Sequence, residues 1–194
     1  TAPTPTGAVN TTAAPSPTGS PTTADHDAPP SADDPTRIYI VGDSDAGTFG
    51  PYLEILIDGD DEFDDRVDVT LDSRASTGLA RPDYFNWPEY LADKLDEVDP
   101  DIVVATFGGN DSQGLTEPCA SGNRSCNPNF VVGDPVTNEE EWTTEYRQRV
   151  RTVLDMMLEG GRQVIWVGIP NAADAKQTER LRIQDRAVRA ELAE

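Results

Sequence analysis

Residues 38–47 read Ile-Tyr-Ile-Val-Gly-Asp-Ser-Asp-Ala-Gly, and they give the strongest indication of the fold class. Its first four residues are apolar and mostly β-branched, a composition that predicts a short buried strand ending at Gly42. The apolar residues of the next segment recur at helical spacing as far as Gly59, where we expect the helix to stop. A buried strand that leads directly into a helix is the first half of an α/β unit.

The same alternation of strand and helix continues along the sequence. Further strands are predicted at residues 67–71, 102–107 and 164–169. Further helices are predicted at residues 88–98, from a Thr137/Glu140 capping-box pattern to Gly160, and at residues 178–192. Because strands separated by helices form parallel sheets, we predict a flavodoxin-like three-layer α/β/α sandwich.

The charge of the chain excludes two classes of partner. It has 36 acidic and 15 basic residues, a formal net charge of −21. Nucleic acids and anionic lipid surfaces are bound largely through Lys and Arg, so we expect neither as a partner. No apolar run reaches the ~20 residues of a membrane-spanning helix, so no membrane span is predicted either.

Residues 1–36 differ in composition from the rest of the chain. They hold half of the 16 prolines and many threonines, but no aromatic residue, Lys or Arg. Such a segment cannot bury enough apolar surface to offset its ordering entropy, so we predict a disordered tether. Thr/Pro-rich tethers often join an export signal or membrane anchor to a folded domain, which here would be residues 37–194. We therefore expect an extracytoplasmic protein that is either secreted or tethered to the cell surface by an anchor upstream. The alternative is a dispensable cytosolic tail.

The two cysteines, Cys119 and Cys126, flank a short polar loop. This spacing is compatible with a disulfide outside the cytosol, and the alternative is two unpaired surface thiols. Two cysteines alone are too few ligands for a zinc site, so we predict no metal and no cofactor.

Three residues at the predicted strand ends could carry chemistry. Reactive groups in an open parallel sheet gather in the loops at the carboxyl ends of the strands. Ser44 follows the first strand at the beginning of a helix, where free N–H groups favour negative charge. Gly78 follows the second strand, and Asn110 follows the third with a side-chain amide suited to an oxyanion. Each of these residues alone could equally be an ordinary turn former.

Together, Gly42-Asp43-Ser44, Gly78 and Gly108-Gly109-Asn110-Asp111 resemble the first three blocks of the SGNH, or GDSL-like, hydrolases. The resemblance implies that Ser44 is the nucleophile of an esterase. It further implies an oxyanion hole formed by Ser44, Gly78 and Asn110, supported by Asp43, Gly109 and Asp111. Residues 76–88 and 166–170 are similar to an exported bacterial subgroup of this family whose substrates are poorly defined.

Two departures from the family pattern affect the expected activity. Asp45 stands where the family usually has leucine, and a carboxylate there would oppose an oxyanion unless it points to solvent. The family's last block, Asp-x-x-His, is missing, since the only histidine of the chain is His26. No strand is predicted after the last helix, so we expect a domain truncated at its C-terminus. A serine hydroxyl without a base is a poor nucleophile, and we expect residues 1–194 to be almost inactive.

The resemblance thus favours hydrolysis of ester bonds, with O-acylated glycans of the cell envelope or a small ester as substrate. An acyltransferase of the same fold and a degenerate, non-catalytic glycan-binding module are the alternatives. A further alternative is a receiver domain or an FMN-binding flavodoxin-like domain, which would have the same kind of parallel sheet but a different function. The segment 108–111 fits a receiver poorly, and no FMN-binding loop is evident.

Overall fold

The computed structural model describes residues 29–63, 65–119 and 126–193. Most of the predicted tether, residues 1–28, lies outside the described residues. The first strand begins at Thr36, one residue before the predicted domain boundary. None of the helices in the described ranges combines the length and the hydropathy that crossing a bilayer would require.

Four strands of the described chain form one parallel sheet, as the alternating pattern predicts. They are β1 (Thr36–Gly42), β2 (Val67–Ser73), β3 (Ile102–Thr106) and β6 (Gln163–Trp166). Their order across the sheet is β2-β1-β3-β6. The helices are α1 (Ser44–Asp58), α2 (Trp87–Val98), α3 (Glu139–Leu158) and α4 (Ala175–Leu192). A short antiparallel pair, β4 (Leu115–Thr116) and β5 (Phe130–Val132), lies outside the main sheet.

The two faces of the sheet are covered by different helices. One face packs against α2, α3 and α4 in a core that includes the fully buried Trp87, Trp142 and Tyr146. The opposite face packs against α1, where Ile40 and Ala46 are fully buried. Alternate residues of a strand face opposite sides, so a strand covered on both sides must be apolar throughout. The predicted three-layer α/β/α arrangement is confirmed.

The pair β4 and β5 lies within a stretch, residues 112–136, that the sequence predicts as a polar loop. Strands of two and three residues are too short to show an alternating pattern, so the sequence gives no signal for them. Between them, Cys119 and Cys126 are joined by a disulfide with Cα atoms 5.8 Å apart. The bridge closes the segment that connects the two short strands.

The N-cap of α3 lies one residue after the Thr137 that the capping-box pattern predicts. The N-cap is Asn138, which makes no capping hydrogen bond with its side chain. The hydroxyl of Thr137 instead donates to the carbonyl of Asp134 in the preceding turn. A Ser or Thr hydroxyl can hydrogen-bond to the backbone of a local turn as well as to the end of a helix, and the hydroxyl of Thr137 bonds to the turn.

Candidate active site

The sheet order brings the three candidate loops to one edge. Strand β1 lies between β2 and β3, with Gly42 in register with both Ser73 and Thr106. The carboxyl ends of the three strands therefore stand side by side, and the residues that follow them are neighbours. A crevice at this edge is where ligands bind in open parallel sheets.

Asp43 joins the first loop to the third. Its side chain is fully buried, with one oxygen accepting the N–H of Asp45 at 2.9 Å. The other oxygen accepts the N–H groups of Gly108 at 3.0 Å and Gly109 at 2.8 Å. Burial raises the pKa of Asp43, and these hydrogen bonds oppose that shift. The residue before it must be glycine, because Gly42 has φ +153° and a Cβ there would lie 1.9 Å from the Thr106 carbonyl oxygen.

Ser44 is the first residue of α1, and its side chain is exposed. Its position at the helix N-terminus leaves its own N–H outside the hydrogen-bond ladder of the helix. Within the described ranges, the Ser44 hydroxyl makes no hydrogen bond to another side chain. The hydroxyl is thus accessible, and no base among the described residues contacts it.

Asn110 links the third loop to the second. Its Nδ2 donates to the carbonyl of Thr77, the residue before Gly78, at 3.0 Å. Gly78 packs directly on the next carboxylate, since a Cβ at this position would lie 2.0 Å from Asp111 Oδ1. The amide of Asn110 has two N–H groups, so its bond to Thr77 leaves one for a ligand. The structure therefore brings the loops of Ser44, Gly78 and Asn110 together.

Asp111 holds the segment after Gly78 through hydrogen bonds to its backbone N–H groups. This fully buried carboxylate accepts the N–H groups of Leu79 and Ala80, each at 2.9 Å, and the hydroxyl of Tyr146 at 2.8 Å. Burial raises the pKa of Asp111 to about 6, and these three hydrogen bonds oppose the shift. The pKa of Tyr146 also lies well above its usual range, through burial first and then the charge of Asp111.

Arg149 on α3 holds the other side of the same segment, and the sequence did not identify it. Its guanidinium donates to the carbonyls of Leu79 at 2.9 Å, Ala80 at 3.1 Å and Thr116 at 2.8 Å. Leu79 and Ala80 thus donate their N–H groups to the carboxylate of Asp111, and their carbonyls accept hydrogen bonds from the guanidinium of Arg149. An arginine among the polar residues of an amphipathic helix carries no signal of such a role, because its partners are distant in sequence.

Asp45 faces the third loop. A Cβ at Gly109 would lie 2.7 Å from Asp45 Oδ2, so the half-buried carboxylate packs against that backbone. The departure from leucine at this position therefore places a negative charge at the edge of the site.

The described ranges contain no histidine, because the only one in the chain is His26. Across those ranges, no group of three or more His, Cys, Asp and Glu side chains is arranged to hold a metal ion. The groups at the edge of the sheet thus include a serine hydroxyl, backbone N–H groups, one side-chain amide and the half-buried carboxylate of Asp45.

The raised pKa of Asp111 predicts an unusual pH dependence of stability. A carboxyl whose pKa rises from 3.8 to about 6 on folding favours the protonated folded state. Its contribution is complete below the unfolded pKa and is lost as the pH rises through about 6, a change of up to about 3 kcal/mol. Asp111→Asn cannot ionise, so wild type should lose stability relative to this variant as the pH rises from about 4 to about 7.

Urea unfolding of both proteins at the two ends of this pH range measures the effect. Contributions from titrating groups that do not interact with Asp111 cancel in the difference between wild type and Asp111→Asn, and Asp43 is the nearby carboxylate that does interact with it. A difference that stays constant with pH would show that Asp111 keeps an ordinary pKa.

The parallel sheet, the helices on its two faces and the cluster of loops at its carboxyl edge define a three-layer α/β/α fold. The structure is similar to an alpha/beta hydrolase enzyme from the metagenome of Lake Arreo, Spain, with a TM-score of 0.54 and 13% identity, covering 81% of this chain and 72% of that one. It is also similar to a gut microbial diltiazem-metabolizing enzyme, with a TM-score of 0.51 and 15% identity. That match covers 82% of this chain and 35% of the other.

The chain belongs to the family described as protein of unknown function (DUF459), whose model matches residues 37–194. Among proteins of curated function, none matches the chain significantly. At these sequence identities the two structural likenesses concern the fold, so the chemistry must be argued from the site itself.

Proposed function

We propose that this protein is a serine hydrolase of the SGNH type that cleaves ester bonds, with Ser44 as the nucleophile. The observation that carries the proposal is the hydrogen bond from Asn110 Nδ2 to the carbonyl of Thr77. It ties the third loop to the peptide unit between Thr77 and Gly78. The carboxylate of Asp43, the residue before Ser44, accepts two N–H groups of the same third loop.

The geometry supports an oxyanion hole of three donors. The backbone N–H groups of Ser44 and Gly78 donate to no acceptor in the described parts of the chain, and Asn110 has one N–H to spare. Preorganised donors of this kind stabilise the negative charge that develops on a carbonyl oxygen during acyl transfer. Asp43 and Asp111 hold the loops in place and take no part in proton transfer.

In the proposed reaction, Ser44 Oγ attacks the ester carbonyl carbon, and its proton passes to a general base. The carbonyl oxygen becomes the oxyanion held by the three donors. When the tetrahedral intermediate collapses, the bond to the alcohol breaks and the alcohol leaves with a proton. Water then attacks the acyl-serine ester, which releases the acid and restores the Ser44 hydroxyl.

The substrate class we propose is an uncharged ester, such as an O-acyl group on a glycan of the cell envelope. Asp45 lies against Gly109 at the edge of the site and would repel a negatively charged acyl group. The Cys119–Cys126 disulfide supports an extracytoplasmic location, because disulfides persist in oxidising compartments. With a sugar hydroxyl in place of water, the same acyl-serine intermediate would make the protein an acyltransferase.

A second candidate is a non-catalytic module that binds an ester or a glycan. Two observations favour it: the carboxylate of Asp45 beside the site, and the lack of a histidine among residues 29–63, 65–119 and 126–193.

Covalent trapping of Ser44 separates the two candidates. A fluorophosphonate probe should label the native gene product and a Ser73→Ala control, whose serine is exposed at the end of β2. Ser44→Ala should not be labelled, since only an activated serine attacks the phosphorus atom at a useful rate. Failure of the wild type to react with the probe would favour the binding module and overturn the esterase.

A further inference from the structure

The segment from Ser76 to Trp87 contains an internal clamp. Trp87 Nε1 donates to the hydroxyl of Thr77 at 3.1 Å, and this hydroxyl donates to the carbonyl of Arg74 at 2.6 Å. Both clamped residues are buried, with exposed fractions of 1% for Trp87 and 4% for Thr77. The hydroxyl therefore uses its donor and one acceptor site within the protein, in a place that water does not reach.

The clamp acts on a strained turn. Ser76, the residue before Thr77, has φ +64°, a left-handed conformation that residues other than glycine rarely adopt. The N–H of Thr77 returns to the carbonyl of Arg74 at 3.3 Å and closes the turn. A strained backbone conformation persists only where surrounding contacts stabilise it. The hydrogen bond from the Trp87 indole to the Thr77 hydroxyl is one of those contacts.

This turn also fixes the amide of Asn110. The carbonyl of Thr77 accepts a hydrogen bond from Asn110 Nδ2 at 3.0 Å. An amide rotated by 180° would set its oxygen against that carbonyl, so the carbonyl of Thr77 selects the orientation that presents nitrogen. The nitrogen of Gly78 belongs to the same planar peptide unit, which is trans, so the N–H of Gly78 points away from the Thr77 carbonyl and moves whenever that carbonyl moves.

We propose that Thr77 and Trp87 are positioning residues that set the oxyanion hole through this shared peptide and through Asn110. The proposal rests on the esterase function and names two residues that are almost entirely buried and act through their hydrogen bonds. Their effect falls on two of the three donors at once: the N–H of Gly78 and the side chain of Asn110.

The test compares Thr77→Val, which keeps the shape but loses the hydroxyl, with Thr77→Ser, which keeps the hydroxyl. Both are measured in the native gene product with p-nitrophenyl acetate. Thr77→Val should lower kcat by about 10- to 100-fold with KM nearly unchanged, as expected when catalytic donors are displaced. Thr77→Ser should stay within about threefold of wild type, because it rebuilds both hydrogen bonds. Equal kcat values for the two variants would overturn the proposal.

A second measurement distinguishes positioning from general loss of structure. Adding Thr77→Val to Asn110→Ala should cause much less further loss of kcat than it does alone, since its effect passes partly through that amide. If the effects of Thr77→Val and Asn110→Ala on kcat are fully additive, the proposed positioning role of Thr77 is wrong. If Thr77→Val does not fold, Trp87→Phe is measured in its place. We expect the same fall in kcat for Trp87→Phe, and an unchanged kcat would overturn the proposal.

Ser44→Ala, assayed in parallel, separates failure of this inference from failure of the esterase function. If Ser44→Ala retains wild-type activity, the serine-hydrolase function itself is wrong. If Ser44→Ala is inactive while Thr77→Val and Trp87→Phe keep wild-type kcat, the function stands and the positioning role is wrong.

Discussion

Replacing Asp43 with alanine is expected to lower the free energy of unfolding by about 3–5 kcal/mol. The carboxylate is fully buried and accepts three backbone N–H groups, from Asp45, Gly108 and Gly109. Alanine would leave these donors without a partner, and a buried donor that loses its partner costs about 1–3 kcal/mol. Water entering the space left by the side chain would recover part of this loss.

Urea unfolding near pH 7 measures the effect, with Asp68→Ala as the matched control. Asp68 is an exposed aspartate on β2, so its replacement should change stability by less than about 0.5 kcal/mol. The loss of stability in Asp43→Asn should lie between those of the other two variants, because its single side-chain oxygen can accept only some of the three backbone N–H groups. A loss below about 1 kcal/mol for Asp43→Ala would mean that the three N–H groups find other partners.

The polypeptide of residues 1–194 alone is expected to hydrolyse p-nitrophenyl acetate about 10⁴- to 10⁶-fold more slowly than a complete serine triad would allow. The sequence holds one histidine, His26, and the described residues around Ser44 provide no base. An oxyanion hole and binding alone still give about 10³- to 10⁴-fold acceleration over water. The residual rate should therefore be small but measurable.

The comparison is between residues 1–194 and the Ser44→Ala variant of the same polypeptide. The residual rate should fall to background in Ser44→Ala. The wild-type rate should rise steadily with pH, because hydroxide takes the place of a general base. A rate that instead reaches a plateau near neutral pH would refute the argument that these residues lack a general base.

The two buried carboxylates of the site have structural roles that their position in sequence does not reveal. Asp43 and Asp111 follow β1 and β3, where acidic groups often carry chemistry, yet their hydrogen bonds within the described ranges all come from donors that brace the loops. Asp43 holds the third loop, and Asp111 holds the second. Their raised pKa values follow from burial and do not by themselves indicate proton transfer.

The sheet and the position of its loops could be predicted because their signals are local. Apolar runs such as residues 38–41 and 102–106 are buried on both faces, and the helices between them carry apolar residues at helical spacing. Parallel strands place their carboxyl ends at one edge, so Ser44, Gly78 and Asn110 could be expected to be neighbours before any coordinates were known. The short strands β4 and β5 gave no such signal.

Local patterns in the sequence are sufficient to predict the α/β class, the parallel sheet and the three loops at its edge, because the apolar periodicity of a strand or a helix involves neighbouring residues. The interactions that hold those loops in place are evident only in the folded molecule. The bonds of Arg149 to Leu79 and Ala80, and of Asn110 to Thr77, join residues more than 30 positions apart. Hydrogen bonds of this kind depend on the packing of whole elements, and no local pattern in the sequence encodes them.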